Sequence, residues 1–298
     1  MKPSRIASIS AAVGLAAGLA VLSATPASGQ ATIGVIYSLD WAGGKLSTID
    51  PVTAVGTEVY QTSPAIEGSI AIYVDPVSLQ LIVPTWDTDP YPVFSIDPGA
   101  GSQTQVAASS KMVTGAAVTP TANFVTYDDV TITQSTLGTM DSSSGVISDI
   151  APVTLNGAPV RVSAMAYCAG TLYAFNYDEE DSLFEVNQTT GEQTRLSTGG
   201  MEAEFYGADC TDDGTLYAVD GSSLYKASPA TATLSLVAGL SGSVGSGVEN
   251  MAVAGTGGAG TKLPDTGFGV ETALVTGLVA AALTAAGIVL VTRRRARA

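Results

Sequence analysis

The side chains best equipped for chemistry in this 298-residue sequence are acids and aromatics that recur together. They stand at Asp40-Trp41, at Trp86-Asp87-Thr88-Asp89, at Tyr127-Asp128-Asp129, at Tyr177 followed by Asp178, and at Asp220. Carboxylates bind hard cations or accept hydrogen bonds from sugar hydroxyls, and aromatic faces stack on the apolar faces of sugar rings. The competing explanation is local. An aspartate can turn the backbone through its own side chain, and an aromatic ring at a strand end can pack between neighbours. Asp178, Glu179, Glu180 and Asp181 form the densest acidic run and are the calcium candidate, although they lack the alternating acids and the glycine of an EF-hand loop. No other cofactor is expected.

Histidine is absent, which removes Ser-His-Asp and Cys-His nucleophiles and histidine-held zinc or copper in one step. The formal net charge is −15, and residues 30–266 alone hold 26 acids against six bases, Lys45, Lys111, Arg161, Arg195, Lys226 and Lys262. Such a surface repels nucleic acid and anionic membrane, so neither is an expected partner. It attracts cations and basic protein patches.

The two ends carry a different chemistry. Lys2 and Arg5 precede an apolar run over 6–22, and small residues follow at Ala27, Ser28 and Gly29. This three-part order predicts a signal peptide over 1–29, cleaved after Ala27 or Gly29. Near the other end, residues 273–291 hold no charge and would extend about 28 Å as a helix, enough to cross a bilayer core. Arg293, Arg294, Arg295 and Arg297 follow in a basic tail over 292–298 and would hold it on the cytoplasmic side. Ahead of that span lies Leu263-Pro264-Asp265-Thr266-Gly267. Pentapeptide, apolar span and basic tail together resemble the LPxTG cell-wall sorting signal of Gram-positive surface proteins. The resemblance implies a sortase as partner, with Thr266 as acyl donor to an amine of a peptidoglycan precursor and Gly267 on the leaving side. Leu263, Pro264 and Asp265 complete the recognised segment. The expected location is therefore the extracellular face of the wall, covalently attached. In such an oxidising compartment Cys168 and Cys210 are expected to form a disulfide.

Between the ends the acids are positioned by a repeat of about 45 residues. Thr171-Leu172-Tyr173-Ala174 returns as Thr215-Leu216-Tyr217-Ala218, with weaker copies beginning near Gly34, Leu81 and Phe124. A second run follows each, ending at Asp50, Asp97, Asp141, Asn187 or Ser228, and glycines stand four residues later at Gly101, Gly145 and Gly191. In the first copy the nearest such glycine is Gly56. A last strand closes each unit. Four strands in some 40–50 residues is one blade of a β-propeller. Small-residue runs at 69–74, 115–118, 162–167 and 206–209 supply the first strand of four blades. The first copy lacks one, and 248–254 has nothing after it, so that segment is expected to pair beside 33–40 and close the ring.

The predicted fold is all-β: a propeller over 32–255, most simply of five four-stranded blades, with six the alternative count. A Gly-rich linker over 256–262 leads to the sorting signal. The pattern loosely resembles extracellular propellers. The listed acids and aromatics fall between the second and third strands of each blade, hence on one rim. The expected role is a non-catalytic binding or adhesion module for an extracellular carbohydrate or protein. The alternative is a carbohydrate-active enzyme, since five-bladed propellers include glycoside hydrolases, but no motif here maps onto theirs.

Overall fold

The computed structural model describes residues 34–41, 44–86, 88–128, 131–177, 179–196, 203–244 and 247–254. The expected signal peptide, linker, sorting pentapeptide and membrane span lie outside them. Among the described residues there is no helix, and the strands form five sheets, the five blades of a propeller. Blade 1 holds Ala252–Val253, Ile36–Leu39, Lys45–Ile49 and Val55–Gln61, from the axis outwards. Blade 2 holds Tyr73–Val74, Leu81–Pro84, Tyr91–Asp97 and Ser102–Ser109. Blade 3 holds Val113–Val118, Asn123–Asp128, Ser135–Met140 and Ile147–Pro152. Blade 4 holds Val162–Cys168, Thr171–Asn176, Glu179–Val186 and Glu192–Arg195, and blade 5 holds Gly207–Cys210, Leu216–Val219, Ser223–Ser228 and Thr233–Gly239.

Burial explains which residues form which strand. The second strands lie between two neighbouring blades and are buried on both faces, so they read as continuous apolar runs rather than alternating ones. Ile36–Leu39 and Leu81–Pro84 are buried at every position, whereas the outer Val55–Gln61 is mostly exposed. Each junction between neighbouring blades has its own apolar cluster. Phe175, Leu183, Phe205 and Tyr225 lock blades 4 and 5, while Leu39, Leu46, Leu81 and Ile96 lock blades 1 and 2. The three other junctions are built likewise. At the axis the inner strands come so close that a Cβ on Gly207 would stand 2.7 Å from Asn250 backbone carbon. A space of only about 10 Å³ remains there, between Ile72, Ala116, Met165 and Met251.

The recurring turn has one construction. Asp50, Asp75, Asp141 and Asn187 each accept backbone N–H bonds from the second and third residues onward through their own Oδ1. The residue four later takes a positive φ: Gly145 and Gly191 in blades 3 and 4, and Ala54 and Leu79 elsewhere. The glycine expected at Gly56 is thus replaced in this role by Ala54, which returns its N–H to the Asp50 carbonyl. Gly191 is needed twice, since a Cβ there would also lie 2.5 Å from the Pro152 carbonyl oxygen.

Closure follows the expected pairing with shorter bounds. Only Ala252–Val253 of 248–254 is strand, paired antiparallel with Tyr37 and Ile36. Asn250 extends that pairing through its side chain: it accepts the Leu39 N–H at 2.8 Å and donates to the Leu39 carbonyl at 2.9 Å and the Ser69 carbonyl at 2.8 Å. From blade 5, Asp209 accepts the Val253 N–H at 2.7 Å. On the outside, Ser241–Gly242 adds a parallel strand to Val55–Gln61, as Thr154–Leu155 does to Glu192–Arg195. The first strand of blade 2 is likewise shorter than expected, Tyr73–Val74 rather than 69–74, and the Ser69 carbonyl ahead of it accepts from Asn250. Cys168 and Cys210 are joined, with Cα atoms 5.5 Å apart, linking the inner strands of blades 4 and 5. At a sequence separation of 42 the link contributes about 4 kcal/mol in the chain-entropy account.

Truncation after Leu240 should therefore expose the inner edge of blade 1 and give aggregation or loss of cooperative unfolding, while truncation after Gly255 should melt like the full chain. Equal melting of the two would rule out closure as a stabilising contact. Gly191→Ala should cost about 2–4 kcal/mol in denaturant unfolding, from both backbone and overlap. Gly170→Ala, with φ of +97° but nothing within 4 Å of its Cβ, should cost about 1–2 kcal/mol.

Candidate functional site

The loops between second and third strands all leave one face of the ring, as expected, but the structure divides their residues. Trp41 of blade 1 and Trp86 of blade 2 stand side by side, ring centroids 6.2 Å apart and planes tilted by 54°. Each is 37% exposed. Gly68, in the connector entering blade 2, holds both loops: it donates its N–H to the Trp41 carbonyl and its carbonyl accepts the Trp86 N–H, each at 3.1 Å. Asp40 and Asp89 on these two loops, and Glu67 beside Gly68, are exposed. Asp87 and Asp178 lie outside the described residues.

On the far side of the rim the same positions are turned inward. Tyr127 is buried, with the Lys111 ammonium 4.6 Å from its ring centre. Asp128, expected at the ligand face, is a buried structural ion. Its Oδ2 accepts from Arg161 Nε at 3.1 Å and Nη2 at 2.9 Å, and its Oδ1 accepts from the Ser135 hydroxyl at 2.6 Å. The Arg161 guanidinium also stacks 4.3 Å over Tyr177. Burial, then the charge of Asp128, pushes the Tyr177 phenol up to about 12. Asp220 closes its own turn, accepting the N–H groups of Ser222 and Ser223 and the Tyr225 hydroxyl. Of the calcium candidate, Glu179, Glu180 and Asp181 belong to the strand Glu179–Val186 rather than to a loop. Among the described residues no group of acids, histidines or cysteines is arranged to hold a metal ion.

Sequence reasoning passed over three acids of the connectors, because it sought acids only between second and third strands. Glu67 is one. Glu204 accepts the Tyr206 hydroxyl at 2.6 Å, and that bond, with burial, raises the Tyr206 pKa. Glu249, half-buried one residue before Asn250, has its pKa raised by burial. A groove of about 1200 Å³ opens on the opposite face between blades 2 and 3, with a mainly apolar surface into which Ser78, Gln105, Asn123 and Ser142 bring hydroxyls and amides. Its polar lining is scattered over five separate segments, and no sequence motif marks it.

The sign of the Glu249 shift makes a test. A carboxyl whose folded pKa is raised contributes most below its unfolded value of 4.5, and that contribution is lost as pH rises through the folded value. At neutral pH the ionised Glu249 therefore opposes folding. Glu249→Gln should raise the melting temperature by roughly 1–2 °C at neutral pH, a gain that disappears in acid. A variant melting below the wild type at neutral pH would show instead that the carboxylate is stabilising.

No protein-family model matches the chain, and no curated protein matches it. Solved structures do resemble it in fold. A Bacteroides thetaiotaomicron protein of unknown function matches with a TM-score of 0.52 and 13% identity over 76% of this chain, which spans 63% of the length of that one. A chain of a nidogen/laminin complex matches with a TM-score of 0.51 and 10% identity, over 76% of this chain and 99% of its own. Virginiamycin B lyase of Staphylococcus aureus reaches a TM-score of 0.42 at 11% identity, over 70% of this chain and 67% of its own, too low to carry an argument. At such identities the likeness is one of architecture: the chain folds as a five-bladed β-propeller.

Proposed function

We propose that this chain is exported, linked to the cell wall through Thr266, and used there as a non-catalytic binding module whose contact face is built on Trp41 and Trp86. The observation that carries the reading is the exposed tryptophan pair: the two tryptophans of the whole sequence lie together at the surface, on loops of neighbouring blades. Large aromatic groups exposed as a pair are a contact surface before they are a stabilising one.

The path of the chain supports the same reading. Ile36 pairs with Ile49 and Leu39 with Leu46, so the tryptophan loops lie at the end of blade 1 away from the Asp50 turn. Gly34 and Ala254 bond to each other at the Asp50 end. The chain thus enters and leaves the propeller on the face opposite the tryptophans. A tether through the sorting pentapeptide would hold that face towards the wall and turn the tryptophan pair outward.

Two measurements test the proposal. Muramidase digestion of cells should release the wild type as a ladder of wall fragments, and Thr266→Ala should leave it extractable by detergent; a detergent-soluble wild type would refute anchoring. In cell binding to arrayed glycans and matrix proteins, Trp41→Ala and Trp86→Ala should each lower retention at least about fivefold while melting changes little. A loss of stability without loss of binding would show the rings to be packing groups.

A further inference from the structure

Aromatic residues of the rim divide into two classes by what covers them. In blades 3 and 4 the cover is a cation of this chain, supplied by the connector that enters the same blade: Lys111 over Tyr127 and Arg161 over Tyr177. The connectors entering blades 5, 1 and 2 carry Glu204, Glu249 and Glu67 instead. Trp41 and Trp86 belong to blades 1 and 2, whose connectors carry acids where those of blades 3 and 4 carry bases. Lys45, the base nearest to Trp41 in sequence, lies 3.9 Å from Glu58 on the outer strand. Among the described residues no cation stacks on either tryptophan.

An exposed indole pair whose loops carry the exposed Asp40 and Asp89, and whose bridging Gly68 follows the exposed Glu67, is electrostatically complementary to a cation, because the negative face of each ring and nearby carboxylates act in the same sense. Tryptophan is the strongest cation-binding ring of the three aromatic types. We infer that the tryptophan pair receives a lysine or arginine side chain from a basic segment of a partner protein, in the way that Tyr177 receives Arg161. The inference rests on the binding face proposed above and names what that face takes. A protein segment is favoured over a single cationic sugar because the acids are spread across two loops and a connector, which suits several charges in a row. The excess of acid over base in residues 30–266 would draw such a segment in over long range.

Because both tryptophans of the sequence are in the pair, intrinsic fluorescence reports on this site directly. The full chain in a non-ionic detergent would be titrated with tetralysine, with the same peptide acetylated on each Nε, with a glucosamine oligomer and with a neutral gluco-oligosaccharide. Tetralysine is expected to change the tryptophan emission saturably, with an affinity that falls as salt is raised, and the acetylated peptide to leave it unchanged. Glu67→Gln and Trp86→Ala should each weaken tetralysine roughly fivefold or more. Equal response to the acetylated peptide, or to the neutral sugar alone, would overturn the cation while keeping the binding face. A glucosamine oligomer binding tighter than tetralysine would overturn the protein partner. Silence towards all four, with Trp41→Ala and Trp86→Ala still binding as cells do, would overturn the face itself. Undiminished tetralysine binding in both Glu67→Gln and Trp86→Ala would place the cation elsewhere.

Discussion

A ring of sheets is stable only if its last sheet meets its first, and in this chain that meeting depends on a few residues near the end. An open ring would leave the inner edge of Ile36–Leu39 with unpaired N–H and C=O groups beside an apolar axis, which is costly for the backbone and an invitation to association. Ala252–Val253 supplies two paired residues. The Asn250 amide supplies the next, because its carbonyl and amino groups meet the Leu39 N–H and C=O as a neighbouring strand would. Its second donated bond, to Ser69, draws blade 2 into the same knot, and Asp209 does so for blade 5. Three of the five blades thus meet at one short segment.

Once closed, the ring sorts its acids by what they do. The aspartates at the turns are consumed by their own turns: the pKa of Asp50 is lowered by the N–H groups of Thr53 and Val52, and that of Asp141 by the Ser143 hydroxyl and then the N–H groups of Ser143 and Ser144. These acids shape loops on the face where the chain enters and leaves. Asp128 is consumed differently, as the buried partner of Arg161, and its removal would leave an arginine without its counter-ion. Asp40, Glu67 and Asp89, on the tryptophan loops and the connector into blade 2, stay exposed. A count of acidic residues therefore overstates the acidic chemistry on offer, because the turn aspartates and Asp128 are already partnered by this chain.

The same sorting applies to the aromatics. Tyr127 and Tyr177 sit in loops related by the repeat to those of Trp41 and Trp86, yet internal cations cover them. Repetition gives each blade the same scaffold, and the connectors between blades, which vary in length and charge, decide which copies face inward. The connector into blade 4, with its extra strands Thr154–Leu155 and Ala158–Pro159, delivers Arg161 to the rim. The connector into blade 2 delivers Gly68, whose two backbone bonds set the tryptophans side by side.

The blade count, the strand order and the joining of the two ends were legible in the residues, because each blade reuses the same turn chemistry and the same buried runs. The rim was legible too, since the repeat fixes which loops share a face. The pairing of Cys168 with Cys210 could be read from their places in neighbouring copies. What the residues did not disclose was the exposure of each loop. Asp128 ends a second strand and Asp40 directly follows one, but packing against Arg161, 33 residues away, makes the first a buried ion while the second stays at the surface. Nor did they disclose that Asn250 would act as a strand through its side chain, for its partners lie 211 and 181 residues away. Local chemistry repeats along the chain and can be read there, whereas burial is a property of neighbours that the ring alone brings together.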